Sequence, residues 1–186
     1  MLRYEEVEVG EPGPGQVRLV HGAVALNFAD TYFRSGLYPA PLPSGIGSEG
    51  CGTITAVGDG VTDFKVGDRV TYTGALNTIG AYATERLISA APLIRLPDNI
   101  SFETAAAITM RGLTAAYLMR RIWDFKKGDT ILLHAAAGGV GMLAVDIFAS
   151  AGFDVHAVSG KAGKAAQVLL NSQVDESRTI TVEFDA

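Results

Sequence analysis

Residues 130–141 read TILLHAAAGGVG, and this stretch decides the fold of the second half of the chain. It joins a short apolar strand, residues 130–134, to a turn of small residues that opens an amphipathic helix over residues 140–151. A second apolar strand follows at residues 154–158. A strand, a crossover helix and another strand of these lengths predict a βαβ unit with parallel strands.

The turn matches the dinucleotide-binding pattern G-x-G-x-x-G except that Ala136 stands at the first glycine. Gly138 lets the backbone approach a pyrophosphate, and Gly141 lets the helix pack tightly on the strand. The free N–H groups at the start of the helix carry partial positive charge. We therefore predict that Gly138, Gly139, Val140 and Gly141 bind a dinucleotide. The alternative is a glycine-rich turn that only packs helix on sheet.

The end of the second strand indicates which dinucleotide binds. An NAD site places Asp or Glu about 20 residues beyond the fingerprint, but residues 158–161 read VSGK and Asp154 opens the strand instead of closing it. Ser159, Lys161 and Lys164 offer a hydroxyl and positive charge to a 2′-phosphate, which favours NADPH. The alternative for both lysines is a solvated helix face.

The first half of the chain has a different pattern. Residues 16–97 carry short apolar runs divided by Gly, Pro and Asp turns, which predict a compact sheet or barrel. Ser101 can cap a helix that runs through residues 105–107, and residues 113–121 form a second predicted helix. The predicted fold class is therefore α/β with a β-rich part. A polar turn near Phe125 divides it into domains 1–125 and 126–186.

Composition excludes several classes of protein. Of the 186 residues, 48% are hydrophobic and 19% charged, which predicts a globular protein with a substantial core. The net charge of −5 and the lack of a Lys/Arg cluster argue against a nucleic-acid partner. Without an apolar run of about 18 residues or a secretion signal, we expect no membrane partner and a cytoplasmic location. Three histidines and a single cysteine predict no metal site, and Cys51 is expected to be a buried small hydrophobe.

Several blocks together resemble one family. They are the N-F-x-D-x-Y-x-R-x-G-x-Y block at 27–38, GSEGCG at 47–52, FKVGDRV at 64–70, GAYA at 80–83 and HAAAGGVG at 134–141. They look like the zinc-independent quinone oxidoreductase (zeta-crystallin-like) branch of the medium-chain dehydrogenase/reductase superfamily. The resemblance implies a GroES-like barrel catalytic domain, a Rossmann domain, NADPH, hydride transfer to quinones or conjugated enones, and homodimers. It also implies no zinc, because Ser48 stands where zinc-binding relatives carry a histidine.

Without a metal, the acceptor carbonyl must be polarised by hydrogen bonds to the oxygen that gains charge. We predict Asn27 and Tyr32 as these catalytic donors, and by similarity to the family their segment lies beside the nicotinamide and contacts the cofactor. The alternative for Tyr32 is a barrel tyrosine bonded to a backbone carbonyl. The resemblance also places Thr109 and Thr114 at the nicotinamide or its ribose, although Thr114 could equally bond to the preceding helical turn.

The residues after Gly128 are too few for the family's complete second domain, so the resemblance implies a truncated Rossmann-type domain. The tail contains a predicted helix at residues 162–170 and a predicted strand at residues 179–184. It either supplies a third Rossmann strand to the truncated domain, or is the family's terminal helix and strand rejoined after an internal deletion, so that residues 165–186 return to the barrel. Two function classes follow: an NADPH-dependent quinone or enone reductase, with enoyl-thioester reductase as its nearest rival, or a weak or inactive remnant that binds nucleotide or partners through the barrel. An uncovered sheet edge predicts a homo-oligomer.

Overall fold

The computed structural model describes residues 2–74, 79–160, 177 and 179–181. The strands are β1 (Gln16–Val24), β2 (Glu49–Val57), β3 (Arg69–Thr73), β4 (Glu85–Ser89), β5 (Ile94–Arg95), β6 (Thr130–Leu133), β7 (Asp154–Ser159) and β8 (Thr179–Thr181). The helices are α1 (Phe28–Ser35), α2 (Phe102–Tyr117) and α3 (Gly139–Ser150), and a π-helical turn, Leu118–Ile122, follows α2. The chain divides into two compact units, Met1–Met110 and Arg111–Ala186. The division falls within α2, earlier than the boundary that we predicted near Phe125.

The first unit is built on a five-stranded antiparallel sheet in the order β4-β1-β2-β3-β5. Alternate residues of β1, Val17 and Leu19, lie in its core with Ile54, Val70 and Tyr72. Period-2 alternation of this kind buries one face of a strand. The predicted β-rich part of the fold is therefore confirmed.

A second apolar cluster of this unit surrounds Cys51. Its buried members are Ala25, Cys51, Leu96, Ala105 and Ala106. Cys51 is fully buried, its Sγ–H donates to the Phe102 carbonyl oxygen at 2.9 Å, and burial raises the pKa of its thiol to about 11. The expectation that Cys51 is a small buried hydrophobe is confirmed.

Helix α2 begins as the sequence predicts. The Thr104 N–H donates to Ser101 Oγ at 3.1 Å, which is an N-cap bond. The prediction of two separate helices was wrong, because α2 continues without a break through Gly112. A glycine inside a helix costs about 1 kcal/mol relative to alanine. The good helix formers on either side, and the burial of Ala105 and Ala115 on the same helix, outweigh that cost.

The second unit contains the predicted βαβ arrangement. Strands β6 and β7 are parallel, with Thr130 opposite Asp154 and Leu133 opposite Ala157, and α3 connects them. The buried core of the unit includes Val145, Phe148 and Val155. β8 pairs with β7 as a third parallel strand, which is the arrangement in the first of the two alternatives for the tail. The predicted helix at residues 162–170 lies outside the described residues.

Within the described residues, no helix is both long enough and apolar enough to cross a membrane.

Candidate functional site

A buried carboxylate organises the start of α1 in the first unit. Asp30 is the third residue of this helix and only 2% exposed, and it accepts a hydrogen bond from the Asn27 N–H at 2.9 Å. Ser48 Oγ donates to its Oδ1 at 3.1 Å, and the Tyr82 hydroxyl donates to its Oδ2 at 2.7 Å. A helix N-terminus favours a carboxylate at this position, since it meets unsatisfied N–H groups there.

A second buried carboxylate fixes the side chain of Asn27. Glu49 begins β2 and is 1% exposed; its Oε2 accepts from Asn27 Nδ2 at 2.7 Å, and its Oε1 accepts from the Met110 N–H at 2.6 Å. Because Glu49 offers an acceptor oxygen, the Asn27 side chain turns its NH₂ group toward it, and not its amide oxygen. An amide nitrogen carries two donors, and the second N–H of Asn27 has no acceptor among the residues that the structure describes.

The Tyr82 hydroxyl is held in its protonated form. Burial raises the pKa of Tyr82, and its hydrogen bond to the Asp30 carboxylate raises that pKa further. A protonated phenol remains a hydrogen-bond donor at every physiological pH. The Tyr82 hydroxyl therefore remains a donor to Asp30 at neutral pH.

A cavity of about 340 Å³ adjoins this network. Such a volume lies at the lower end of the range for small-molecule sites. The walls are mostly apolar and come from the first unit: Ala29, Phe33, Tyr38, Pro39, Ser48, Gly74 and Met110. Ser48 and Met110 belong both to this wall and to the hydrogen-bond network of the two carboxylates.

The predicted donors Asn27 and Tyr32 are not part of the cavity wall, whereas Tyr38 is. Tyr32 lies on α1, partly exposed, with its ring edge-on to Phe28 at 5.3 Å and to Tyr38 at 5.1 Å between ring centroids. Within the described part of the chain its hydroxyl makes no hydrogen bond, in contrast to the alternative of a tyrosine bonded to a backbone carbonyl. Sequence reasoning missed Tyr38, although it is the last residue of the quoted 27–38 block.

The two predicted threonines have different surroundings. Thr109 is 9% exposed; its hydroxyl donates to the Ala105 carbonyl oxygen at 2.7 Å and lies 2.8 Å from Thr71 Oγ1. Thr114 is exposed on α2 in the second unit. These internal bonds give the Thr109 hydroxyl a structural role, and contacts of either threonine with a nicotinamide stay a prediction.

The predicted phosphate turn lies between β6 and α3. Ala135 adopts a left-handed backbone with φ of 54°, a conformation that L-residues rarely adopt. The Ala136 N–H donates to the Val158 carbonyl oxygen at 3.0 Å, and the Gly138 N–H donates back to the Ala135 carbonyl oxygen at 2.8 Å. These bonds connect the turn to the neighbouring strand β7 and stabilise its shape.

The next residues of the turn present free backbone donors. Gly138 is the N-cap of α3, and within the described residues the N–H groups of Gly139, Val140 and Gly141 have no hydrogen-bond acceptor. A Cβ on Gly141 would overlap the Ala135 carbonyl oxygen, so only glycine allows the helix to approach the turn this closely. Free amides at the positive end of a helix fit the phosphate groups of a dinucleotide.

The residues predicted to bind a 2′-phosphate are only partly described. Ser159 ends β7, as expected, and its side chain is 2% exposed. Lys161 and Lys164 lie outside the described residues. The described residues also contain no group of three or more His, Cys, Asp or Glu that could hold a metal ion, and independence from metals stays a prediction.

Comparison with known proteins relates these two regions to one family. Residues 13–98 match the alcohol dehydrogenase GroES-like domain. The chain is 54% identical over 145 residues to a quinone oxidoreductase of Pseudomonas aeruginosa, a match that covers 77% of this chain and 44% of the relative. It is 42% identical over 170 residues to quinone oxidoreductase 1 of Escherichia coli, covering 91% of this chain and 51% of the relative. The chain belongs to the quinone oxidoreductase branch of the medium-chain dehydrogenase/reductase superfamily.

Solved structures of quinone oxidoreductases have the same fold. That of Pseudomonas syringae superposes with a TM-score of 0.88 at 46% identity, covering 96% of this chain and 54% of the other. The Escherichia coli quinone oxidoreductase complexed with NADPH also superposes with a TM-score of 0.88, at 39% identity, covering 95% of this chain and 53% of the other. The predicted fold class and family are confirmed. The chain spans about half the length of the quinone oxidoreductases it matches.

Proposed function

We propose that this chain acts as an NADPH-dependent, zinc-independent reductase of quinones or conjugated enones. The observation that carries the proposal is the turn before α3, where the amides of Gly139, Val140 and Gly141 have no acceptor within the described residues. The first N–H groups of a helix have no acceptor within the helix, and where they follow a glycine-rich turn after a β-strand they form a binding site for the phosphates of a dinucleotide. The Escherichia coli relative that was solved with NADPH supports this identity of the ligand.

Two groups of residues bind two different parts of the cofactor. Gly138, Gly139, Val140 and Gly141 hold its diphosphate through backbone N–H groups and the positive end of α3. Ser159, Lys161 and Lys164 hold the 2′-phosphate by hydrogen bonding and charge. When bound, NADPH supplies the hydride.

The first unit holds the hydride acceptor. The mostly apolar walls of the 340 Å³ cavity suit a small quinone or enone. Asn27 and Tyr32 adjoin this cavity without lining it. Glu49, which orients the Asn27 amide, also accepts from the wall residue Met110, and the Tyr32 ring packs on the wall residue Tyr38. In this proposal the acceptor extends past the wall, and Asn27 and Tyr32 donate hydrogen bonds to the oxygen that becomes negative. Donors that are already in place stabilise this charge without reorganising during the reaction.

The oxidation of NADPH in the presence of 9,10-phenanthrenequinone and of a conjugated enone tests the activity. Tyr32→Phe should lower kcat by on the order of a hundredfold, which is the usual effect of losing a donor to a developing oxyanion. Tyr4→Phe is the matched control, because the Tyr4 side chain is 91% exposed. An unchanged kcat in Tyr32→Phe would remove Tyr32 from the mechanism. NADPH binding without turnover on either acceptor would instead favour the inactive alternative.

Cofactor preference has its own test. In the double variant Lys161→Ala/Lys164→Ala, the affinity for NADPH should fall much more than that for NADH, because only NADPH carries the 2′-phosphate. Lys126→Ala, an exposed lysine of the same unit, is the control. Equal losses for the two dinucleotides would contradict the 2′-phosphate assignment.

We further propose that the protein forms a homo-oligomer in the cytoplasm. Strand β6 lies at one edge of the three-stranded sheet, and its Leu132 side chain is 57% exposed. Open strand edges and exposed apolar side chains favour association with a second copy. Light scattering at micromolar concentration tests the oligomer, and a particle of 19.5 kDa would contradict it. Cell fractionation tests the location.

A further inference from the structure

A positively charged side chain lies against the phosphate turn within the second unit. Arg111 is part of α2 and partly buried, and its side chain occupies the space where Gly139 would carry a Cβ. A Cβ built there would lie 2.7 Å from Arg111 Nε, 2.9 Å from its Cδ and 3.3 Å from its Cζ. Gly139 is therefore the residue that allows the guanidinium to reach the first turn of α3.

This position is electrostatically unusual. The N-terminus of a helix carries partial positive charge, so a cation placed beside it is repelled and an anion is attracted. Arg111 brings a full positive charge to a helix end that already presents the free amides of Gly139, Val140 and Gly141. An anionic ligand at this point would interact favourably with the guanidinium, the amides and the helix dipole together.

We propose that Arg111 is a binding residue for the diphosphate of the dinucleotide. The planar fork of a guanidinium matches the geometry of phosphate oxygens and stays charged at any physiological pH. Arg111 lies against Gly139, the residue that opens α3. Of the predicted 2′-phosphate residues, Ser159 ends β7, and Lys161 and Lys164 come after it in the sequence. Arg111 should therefore recognise the diphosphate that NADPH and NADH share. This inference rests on the proposed function, since it names a further residue of that cofactor site.

The affinities of the full chain for NADPH and NADH test the proposal directly. Arg111→Ala should weaken both dinucleotides by a similar factor, about tenfold to a hundredfold, which is typical of a charge-assisted hydrogen bond to phosphate. Arg111→Lys should recover only part of the affinity, because lysine keeps the charge without the fork. Arg120→Ala, an exposed arginine further along the same unit, should bind both dinucleotides as the original chain does.

A second variant displaces Arg111 without changing the charge of the protein. In Gly139→Ala the added Cβ collides with the end of the flexible Arg111 side chain, which must move away. The affinity for both dinucleotides should fall in Gly139→Ala. The double variant Arg111→Ala/Gly139→Ala should bind them no more weakly than Arg111→Ala does. A further fall in the double variant would mean that the Cβ obstructs the ligand itself.

The outcomes separate this inference from the proposed function. Failure of the original chain to bind either dinucleotide would overturn the proposed function. In that case, inorganic pyrophosphate is the probe, and its effect on the melting temperature is measured. A rise in the original chain that is absent in Arg111→Ala supports an anion site at Arg111. A rise that persists in Arg111→Ala overturns that site. Where the original chain binds both dinucleotides, equal affinities of Arg111→Ala and Arg120→Ala overturn the inference. If Arg111→Ala loses affinity for NADPH but keeps its affinity for NADH, the assignment of Arg111 to the diphosphate is overturned. Circular dichroism verifies that each variant is folded.

Discussion

The polar groups around Asp30 and Glu49 in the first unit differ from those of the phosphate turn in the second. Asp30 accepts hydrogen bonds from Asn27, Ser48 and Tyr82, and Glu49 accepts from Asn27 and Met110. Apart from the second N–H of the Asn27 amide, these donors and acceptors satisfy one another within the first unit. Residues 139–141 instead present backbone donors that find no acceptor among the described residues. The first arrangement positions side chains, whereas the second leaves backbone donors available for the diphosphate that we propose it binds.

This difference predicts how each region responds to substitution. A missing acceptor in a closed network leaves buried donors unpaired, which lowers the free energy of unfolding. A change in an open site alters the affinity for a ligand more than the stability of the free protein. The predictions below test this division, in order of decreasing expected effect.

Asp30→Ala should have the largest effect. It leaves the buried Asn27 N–H and Ser48 hydroxyl without their acceptor, and each unpaired buried donor costs about 1–3 kcal/mol. The part-buried Tyr82 hydroxyl loses its acceptor as well. We expect the free energy of unfolding, measured with urea, to fall by about 3 kcal/mol or more. Asp63→Ala, at an exposed position of the same unit, is the control. A loss no greater than that of the control would mean that the network is not closed.

Gly141→Ala should come second and affects the shape of the turn. The added Cβ overlaps the Ala135 carbonyl oxygen, which is backbone and cannot move aside. Overpacking of this kind costs about 1–3 kcal/mol, and separation of α3 from the turn should also weaken NADPH binding. Denaturation and a binding titration measure the two effects. Unchanged NADPH affinity would show that the close approach of the helix is not needed for the site.

The dependence of stability on pH should be smaller and comes from another closed pair in the first unit. His21 Nδ1 lies 2.7 Å from the Ala83 carbonyl oxygen, so it donates, and Nε2 lies 2.7 Å from the Tyr72 hydroxyl, from which it accepts in the neutral ring. Burial lowers the pKa of His21, and the nearby charge of Arg86 lowers it as well, against the opposing effect of the Ala83 hydrogen bond.

The sign follows from the direction of this shift. Below the unfolded value of 6.5 the unfolded chain takes up a proton that the folded His21 resists, so the free energy of unfolding should decrease as the pH falls from 6.5 toward the folded pKa. His21→Gln should remove this contribution and flatten the profile between neutral and mildly acidic pH. An identical profile in both proteins would assign the acid sensitivity to other groups.

Gly112→Ala should have the smallest effect, and it should be stabilising. Gly112 lies inside α2 and a Cβ there would meet nothing within 4 Å of the described structure. Alanine in place of glycine within a helix contributes about 0.8–1 kcal/mol. NADPH affinity should stay unchanged, since the substitution adds no atom to the turn. A loss of affinity would connect the flexibility of α2 to the cofactor site.

The sequence predicted features that depend on neighbouring residues. The alternation of apolar residues, the Ser101 cap and the small-residue turn before α3 are local patterns, and they lie where the sequence placed them. The fit of Gly141 against the turn was also predictable, because the fingerprint requires a small residue at that position.

Features that depend on distant contacts could not be predicted in this way. The side chain of Asn27 is oriented by Glu49, and Thr109 is bonded to Thr71, residues far apart along the chain. The position of Arg111 against Gly139 is of the same kind, since it requires the geometry of two helices. The left-handed backbone of Ala135 was missed because nothing in its own residue type favours that conformation.

The burial of Cys51 has a consequence for the chemistry of the proposed substrates. Quinones and conjugated enones are electrophiles that add to thiolates, and a protein that handles them exposes its own cysteines to alkylation. The thiolate is the reactive form of cysteine, and here the raised pKa of about 11 keeps the thiol protonated while the fully buried side chain keeps it out of reach. Cys51 should therefore resist alkylation by the quinones or enones that we propose as acceptors.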